Sequence, residues 1–315
     1  MTVSRVINNK PGVGDDLRQA IARLAAELDY QPNQIARNLA TNFTTTVGLV
    51  VPDNTNPFFA QIARGVEDTA YKQSYNIFLV NILENPARER AALDSLWQKG
   101  VDGLILCSSG LRGEELETEF SCFPAVVLVN REITNPIPHV ITINVDDRRG
   151  AHLAIQYFQD HGCRHIAYIH GPVTSLSAKR RFEGYPSALE EAGSGFDPEL
   201  VECRAPDIEG SQTATASLIA LAPEIDASYC FNDLVAVGAL QIASELGKKV
   251  PEEVAIIGVD DIPLATIIRP QITTLHVNLR QIGRMARRTF LDAIEGGSSP
   301  TAIKIEPALV GRGSA

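Results

Sequence analysis

No apolar run in this chain of 315 residues approaches the ~20 residues that a bilayer span demands; runs such as those at 125–129 and 254–258 fall far short. No basic-then-apolar start leads to a small-residue cleavage site, so secretion through a signal peptide is not expected and a cytoplasmic location is. The cysteines Cys107, Cys122, Cys163, Cys203 and Cys230 are odd in number, scattered and without a CxxC pair, which suits reduced thiols rather than a disulfide framework. Signatures of catalysis are also missing. No GxGxxG follows a strand (Gly193-Ser194-Gly195 lacks the third glycine), and there is neither a P-loop nor a GxSxG elbow. The one metal-like grouping, His161, Cys163, His165 and His170, spans a helix end and a strand and reads as structural. No enzyme activity, metal or cofactor is therefore expected. Positive charge is in deficit too: a net charge of −10 argues against coating nucleic acid with the whole surface. The deficit is uneven, because residues 1–46 carry +1 and the remainder −11.

What is present is an ordinary globular composition, 44% hydrophobic and 21% charged, which excludes disorder, a collagen-like repeat and a coiled-coil rod. From Thr46 onward short apolar strands alternate with amphipathic helices. Strands are expected at 46–51, 76–80, 103–106 and 125–129, with helices at 57–74, 86–98 and 114–120. The rhythm restarts with helices at 149–160, 176–192, 211–221 and 234–246 and strands at 165–170, 199–203, 228–231 and 254–259. Such alternation implies βαβ units and parallel sheets with helices on both faces. Two similar α/β lobes of about 130 residues fit better than one large sheet.

In open parallel sheets ligands bind beyond the carboxyl ends of the strands. Here those ends carry Pro52-Asp53-Asn54, Asn130-Arg131, Asn144-Val145-Asp146-Asp147, Asn232-Asp233 and Asp260-Asp261. Each Asn or Asp is also suited to cap the following helix. Together with Arg181 they resemble a site for a polyhydroxylated ligand. Phe58-Phe59 after Asn56-Pro57 can lay a ring on an apolar sugar face or pack in the core, and Arg180-Arg181 also fits a solvated helix face. Pro186 falls inside the helix that carries Arg181, where a kink is expected.

The head, residues 1–46, reads differently. A short helical stretch at 3–7 is broken by Asn8-Asn9-Lys10-Pro11-Gly12, and Asp15-Asp16 opens a helix at 17–28 with apolar residues at 3, 4, 7 and 8 spacing. After Pro32, Asn33 can cap a very short helix at 34–40. Small helices with little core are marginal alone, which suits a recognition module.

Thr2-Val3-Ser4-Arg5-Val6-Ile7-Asn8, Leu28-Asp29-Tyr30-Gln31-Pro32-Asn33 and Ala36-Arg37-Asn38-Leu39-Ala40 together resemble the lactose-repressor/galactose-repressor (LacI/GalR) family of bacterial transcription regulators. The likeness continues through Val47-Gly48-Leu49-Val50-Val51-Pro52-Asp53, Asn56-Pro57-Phe58-Phe59, Val101-Asp102-Gly103-Leu104-Ile105 and Asn232-Asp233 to Gly258-Val259-Asp260-Asp261-Ile262-Pro263-Leu264-Ala265.

The resemblance implies a two-lobe, periplasmic-binding-protein-like (type I) core of doubly wound parallel sheets behind a small all-α DNA-binding head, an incomplete helix-turn-helix plus a hinge helix. The implied divisions are 1–32 for the head, 33–46 for the hinge helix and linker, 47–146 with about 278–303 for one lobe, and 147–277 with about 304–315 for the other. It implies that Thr2, Ser4, Arg5 and Asn8 meet the major groove of double-stranded operator DNA. Asn33, Ala36, Arg37 and Leu39 would meet the minor groove, with Leu39 wedged between base pairs. Family members begin some 15–20 residues earlier, so a misplaced start or a trimmed chain, and weak operator binding, are expected. Effector positions carried over are Phe58, Phe59, Arg181, Asn232 and Asp260, with Asp146 and Asp53 as secondary positions and Val277 standing near where sugar binders often carry Gln.

The expectation is thus a cytoplasmic repressor without a membrane partner, acting as a homodimer or tetramer on a palindromic operator and sensing a sugar-like effector; a purine effector stays open. The rival readings are a cytosolic or a periplasmic-type sugar-binding protein without DNA binding.

Overall fold

The computed structural model of the chain describes residues 2–7, 11–28, 30, 38, 43–108, 111, 118–133, 135–297 and 300–315, with Ser4 and Ile7 described by their backbone alone. Two compact units separate by their internal contacts, Met1–Thr44 and Thr45–Ala315.

In the first unit α1 spans Thr2–Ile7 and α2 spans Asp15–Glu27. Gly12 adopts φ 97° between them, a left-handed conformation that glycine takes without a Cβ penalty. Asp15 and Asp16 lie inside the first turn of α2, where carboxylates favour the positive helix end, so this helix starts two residues before the expected Leu17. Val6 is buried, whereas Leu17 and Leu24 stay exposed, and α2 buries no residue of its own. Thr2 and Arg5 are exposed. Of the expected helix at 34–40, only Asn38 is among the described residues, and it is helical. Asn8, Asn33, Ala36, Arg37 and Leu39 lie outside them.

The second unit begins with β1 (Thr46–Val51), α3 (Pro57–Lys72), β2 (Asn76–Asn81), α4 (Pro86–Gln98), β3 (Leu104–Cys107), β4 (Val126–Val129) and β5 (Val140–Val145). Next come α5 (Asp147–Asp160), β6 (Ile166–His170), α6 (Leu176–Glu191), a 3-10 turn at Pro198–Leu200 and β7 (Val201–Cys203). Then follow α7 (Ile208–Leu221), β8 (Ala227–Cys230), α8 (Asp233–Glu245), β9 (Ala255–Asp260), α9 (Leu264–Ile267) and β10 (Thr273–His276). The chain ends with α10 (Leu279–Ile294), β11 (Ala302–Ile305) and β12 (Ala308–Val310).

These strands make two six-stranded sheets, ordered β11-β5-β4-β3-β1-β2 and β12-β10-β9-β8-β6-β7. Every pairing is parallel except β10 with β12. The chain crosses between sheets after β5, after β10 and between β11 and β12. Helices cover both faces of each sheet, which is why β1 and β9 read as unbroken apolar runs and are buried along their whole length. In the first lobe α3 and α10 close one face around Val47, Leu49, Ile62 and Phe290, and α4 closes the other around Val50, Leu93 and Leu106. In the second, α7 and α8 pack on one face, and α5 and α6 on the other around Ile155, Tyr168 and Tyr185. The edge strand β2 leaves Phe78 and Leu79 exposed. Of the helix expected at 114–120, residues 118–120 are helical and 112–117 lie outside the described residues. Strands β10, β11 and β12 carried no long apolar run to mark them.

The approach of α3 and α10 is set by two glycines. A Cβ at Gly283 would stand 2.1 Å from the Ile62 carbonyl oxygen, and one at Gly65 would stand 2.2 Å from that of Arg280. Backbone on both sides leaves no side chain to yield. Gly283→Ala is expected to destabilise the fold by about 1–3 kcal/mol, read as a lower urea midpoint. Gly195→Ala, which meets nothing within 4 Å, should leave the midpoint unchanged.

Candidate functional site

The carboxyl ends of both sheets face a common cavity of about 220 Å³. From the first lobe Pro52 follows β1, Ser108 follows β3 and Asn130 follows β4; from the second, Pro172 follows β6, Phe231 and Asn232 follow β8, and Asp260 ends β9. Helix starts complete the walls: Asn56, Phe58 and Phe59 at α3, Glu84 and Pro86 at α4, and Thr174, Ser175, Ser177 and Arg181 at α6.

Several of these residues serve the helices and the cavity at once. Asn56 accepts from the Phe58 amide at 3.0 Å, with Pro57 in the first turn. Asn232 accepts from the Val235 amide at 2.8 Å and donates to the Pro206 carbonyl at 3.2 Å. Ser175 caps α6. Asn130, at φ 52°, turns its Oδ1 to the Val145 amide at 3.3 Å. The capping and cavity-lining readings of these side chains therefore coexist. Phe58 and Phe59 meet edge to face at 4.9 Å; Phe58 is buried in the first-lobe core and Phe59 only partly covered.

The cavity floor is electrostatic. Arg181, 4% exposed, donates from Nε to Asp147 Oδ1 at 2.9 Å and from Nη1 to the Phe231 carbonyl. Its Nη2 lies 3.7 Å from Asp260 Oδ1, and its guanidinium stands 4.8 Å above the Phe231 ring. Burial works against the Arg181 charge, but Asp147 and Asp260 more than offset it and hold the side chain cationic. Asp260 is pushed well above the usual carboxylate range by burial and by the neighbouring Asp233 and Asp147, with Arg181 opposing. Its backbone sits at φ 106°, a sparsely populated conformation of the kind that gathers at functional sites.

Of the effector positions carried over from the family, Phe58, Phe59, Arg181, Asn232 and Asp260 line this cavity, and Asp146 does not. Asp146 caps α5 by accepting from the Arg149 amide and pairs with Lys304 in a separate groove. The carboxylate that meets Arg181 belongs to Asp147, one residue later, because the cap must turn its side chain back over the helix start while the first helical residue points to the core. Asp53 also stays local, accepting from the Thr55 amide at 2.9 Å. Val277 is buried in the first-lobe core. The expected kink at Pro186 does not interrupt α6, which runs on to Glu191. Tyr185 anchors it through a hydroxyl bond of 2.6 Å to the Ile166 carbonyl.

Arg180 points elsewhere. It reaches from α6 to the first lobe, where it donates to Asn144 Oδ1 at 3.2 Å and pairs with Glu132. Sequence reasoning missed this tie and Glu84; it placed Asp147 among the strand-end acceptors, but the family carry-over singled out its neighbour Asp146. His161 and His170 turn their Nδ1 atoms to the carbonyls of Tyr157 and Gly171. Among the described residues no group of three or more His, Cys, Asp or Glu is placed to hold a metal ion. No helix among them is long and apolar enough to cross a membrane.

Behind Asp260 lies Asp233, which accepts from Thr274 Oγ1 at 2.6 Å and from the Ile262 amide at 2.8 Å. Burial, only partly relieved by those bonds, pushes its carboxyl up to about 7. The folded protein thus keeps a proton here that the unfolded chain releases near pH ~4. Stability from this group is complete below about pH 4 and falls as pH climbs toward 7. Denaturation midpoints measured from pH 4 to 7 should decline, and Asp233→Asn should flatten that decline.

Two family models match the chain. One, described as periplasmic binding proteins and sugar binding domain of the LacI family, matches residues 44–312; the other, bacterial regulatory proteins of the lacI family, matches residues 1–33. The ribose operon repressor of Halalkalibacterium halodurans is 36% identical over 294 residues, 93% of this chain and 86% of that protein. The repressor PurR of Haemophilus influenzae is 33% identical over 321 residues, 99% of this chain and 94% of that one. Among solved structures, the complex of the regulator CelR with cellobiose aligns at a TM-score of 0.78 and 29% identity, covering 100% of this chain and 95% of that one. The lac repressor dimer bound to operator and the anti-inducer ONPF aligns at 0.90 and 22% identity, covering 99% and 94%, a likeness of fold. With its head matched by one model and its clefted core by the other, the chain belongs to the LacI family of bacterial regulatory proteins and is a ligand-responsive transcriptional regulator.

Proposed function

We propose that the protein is a cytoplasmic repressor that binds a palindromic operator as a dimer and senses a monosaccharide-sized polyol in the cleft. The observation that carries the effector reading is the cavity itself. Its polar groups, Arg181, Asn232 and Asp260, converge from different elements, and aromatic rings and prolines supply apolar faces for the carbon side of a sugar ring. A cavity of about 220 Å³ lies below the ~300–1,000 Å³ of drug-sized sites, which favours one sugar ring over two. The ribose operon repressor and PurR, named above, support the repressor reading.

DNA binding is assigned to the head. Thr2, Ser4, Arg5 and Asn8 serve the major groove, and Asn33, Ala36 and Arg37 serve the minor groove with Leu39 as the wedge. Dimer symmetry then asks for two half-sites in a near-palindrome. The protein acts by binding, without a cofactor. An effector that grips both lobes changes the population of lobe angles, and through the hinge segments it changes operator affinity.

A thermal-shift screen against sugars and purines tests the effector class. A ligand at 100 times its Kd stabilises by about 2.7 kcal/mol, a visible shift. Response to purines alone would overturn the sugar reading. Asp260→Ala is expected to abolish the effect of that ligand on operator binding in a fluorescence-anisotropy titration while ligand-free binding is kept; an unchanged response refutes the assignment.

A further inference from the structure

We infer that the cleft takes an uncharged ligand and turns away anionic analogues, sugar phosphates and sugar acids among them, with Glu84 as the residue that sets this preference. The inference rests on the proposed reading of the cleft as the effector site.

Among the described residues that line the cavity, Arg181 is the one cation, while Asp260 and Glu84 contribute carboxylates. The cation is already committed. Asp147 holds it at 2.9 Å and Asp260 at 3.7 Å, so its charge is answered before any ligand enters. Two of the five guanidinium N–H groups are engaged, at Nε and Nη1, which leaves donors for neutral oxygens but no uncompensated positive charge for an anion.

Glu84 adds the decisive charge. It sits in the turn between β2 and α4, where Leu83 and Glu84 both take positive φ (49° and 52°) and lead into the α4 cap at Asn85. It has no ion-pair partner among the described residues. Its side chain is exposed at the edge of the cavity; the desolvation it does meet pushes its carboxyl up, and no cation pulls it back. A hydroxyl can donate to such a carboxylate, whereas a phosphate or second carboxylate entering the cleft meets like charge at its edge, beside the carboxyl of Asp260 within.

The test reads the charge of the cleft directly, whatever the natural effector. Thr174→Cys, at an exposed position on the cavity wall, is made in the full chain with the exposed Cys122 and Cys203 changed to Ser, with and without Glu84→Gln. Alkylation of Cys at 174 is timed with neutral iodoacetamide and anionic iodoacetate and compared with a neutral model thiol, N-acetylcysteine amide. Taking the ratio of the two reagents cancels differences in thiol acidity. The iodoacetate-to-iodoacetamide ratio should fall about threefold or more below the model thiol, and Glu84→Gln should restore much of it. A ratio equal to the model thiol, or one that Glu84→Gln does not move, overturns the inference.

Thermal shifts with D-ribose against D-ribose 5-phosphate, and D-glucose against D-glucose 6-phosphate, form the second arm. Stabilisation by a phosphorylated member overturns the inference, and stabilisation by neutral members alone supports it. If no sugar acts, the sugar reading fails, and the alkylation ratio still decides the charge preference.

Discussion

The buried guanidinium of Arg181 is the constraint around which the cleft is organised. It belongs to α6, yet its partners come from the start of α5, the residue after β8 and the end of β9. A charge so far from water is tolerable only with good geometry and near neutrality, and removing one partner of a buried pair typically costs about 3–5 kcal/mol. Asp147 supplies the close hydrogen bond and Asp260 a second carboxyl at 3.7 Å. What remains facing the cavity is a set of oriented donors and acceptors, already desolvated and already placed. A ligand that finds its partners prearranged loses less free energy to ordering the site in docking.

The first-lobe wall works in another way. Phe58 is held by the core and Phe59 by Phe58, so the ring presented to the cavity stands on packed side chains rather than on a mobile loop. The caps at Asn56, Ser175 and Asn232 likewise place cavity atoms by the geometry of helix starts. Recognition groups on rigid elements keep their positions without further support.

Much of this was readable from the residues in order. Buried parallel strands announce themselves as runs such as Thr46–Val51 and Ala255–Asp260, and their carboxyl ends mark where to look. Asn232 and Asp260 line the cavity from such strand ends, whereas Phe58 and Arg181 stand on helices and were marked by the family resemblance. The reading went astray where one residue of phase matters: Asp146 and Asp147 differ in sequence position by one step but by the whole direction of the side chain. It was silent where the signal is three-dimensional, as for Glu84, which reaches the cavity through a left-handed turn, and for β11 and β12, which exist because sheet edges were there to receive them. Pro186 misled because a lost backbone bond is a local penalty, while Tyr185 and the close packing of Gly184 on Arg148 hold α6 from outside.

Arg180 and Arg181 are adjacent, and on a helix adjacent side chains point about 100° apart. One therefore reads the cavity while the other grips Glu132 and Asn144 across the lobe boundary. The two errands share one axle. Because one helix carries both, the cavity wall and the tie between the lobes share a single rigid rod, and neither arginine can shift with α6 without the other.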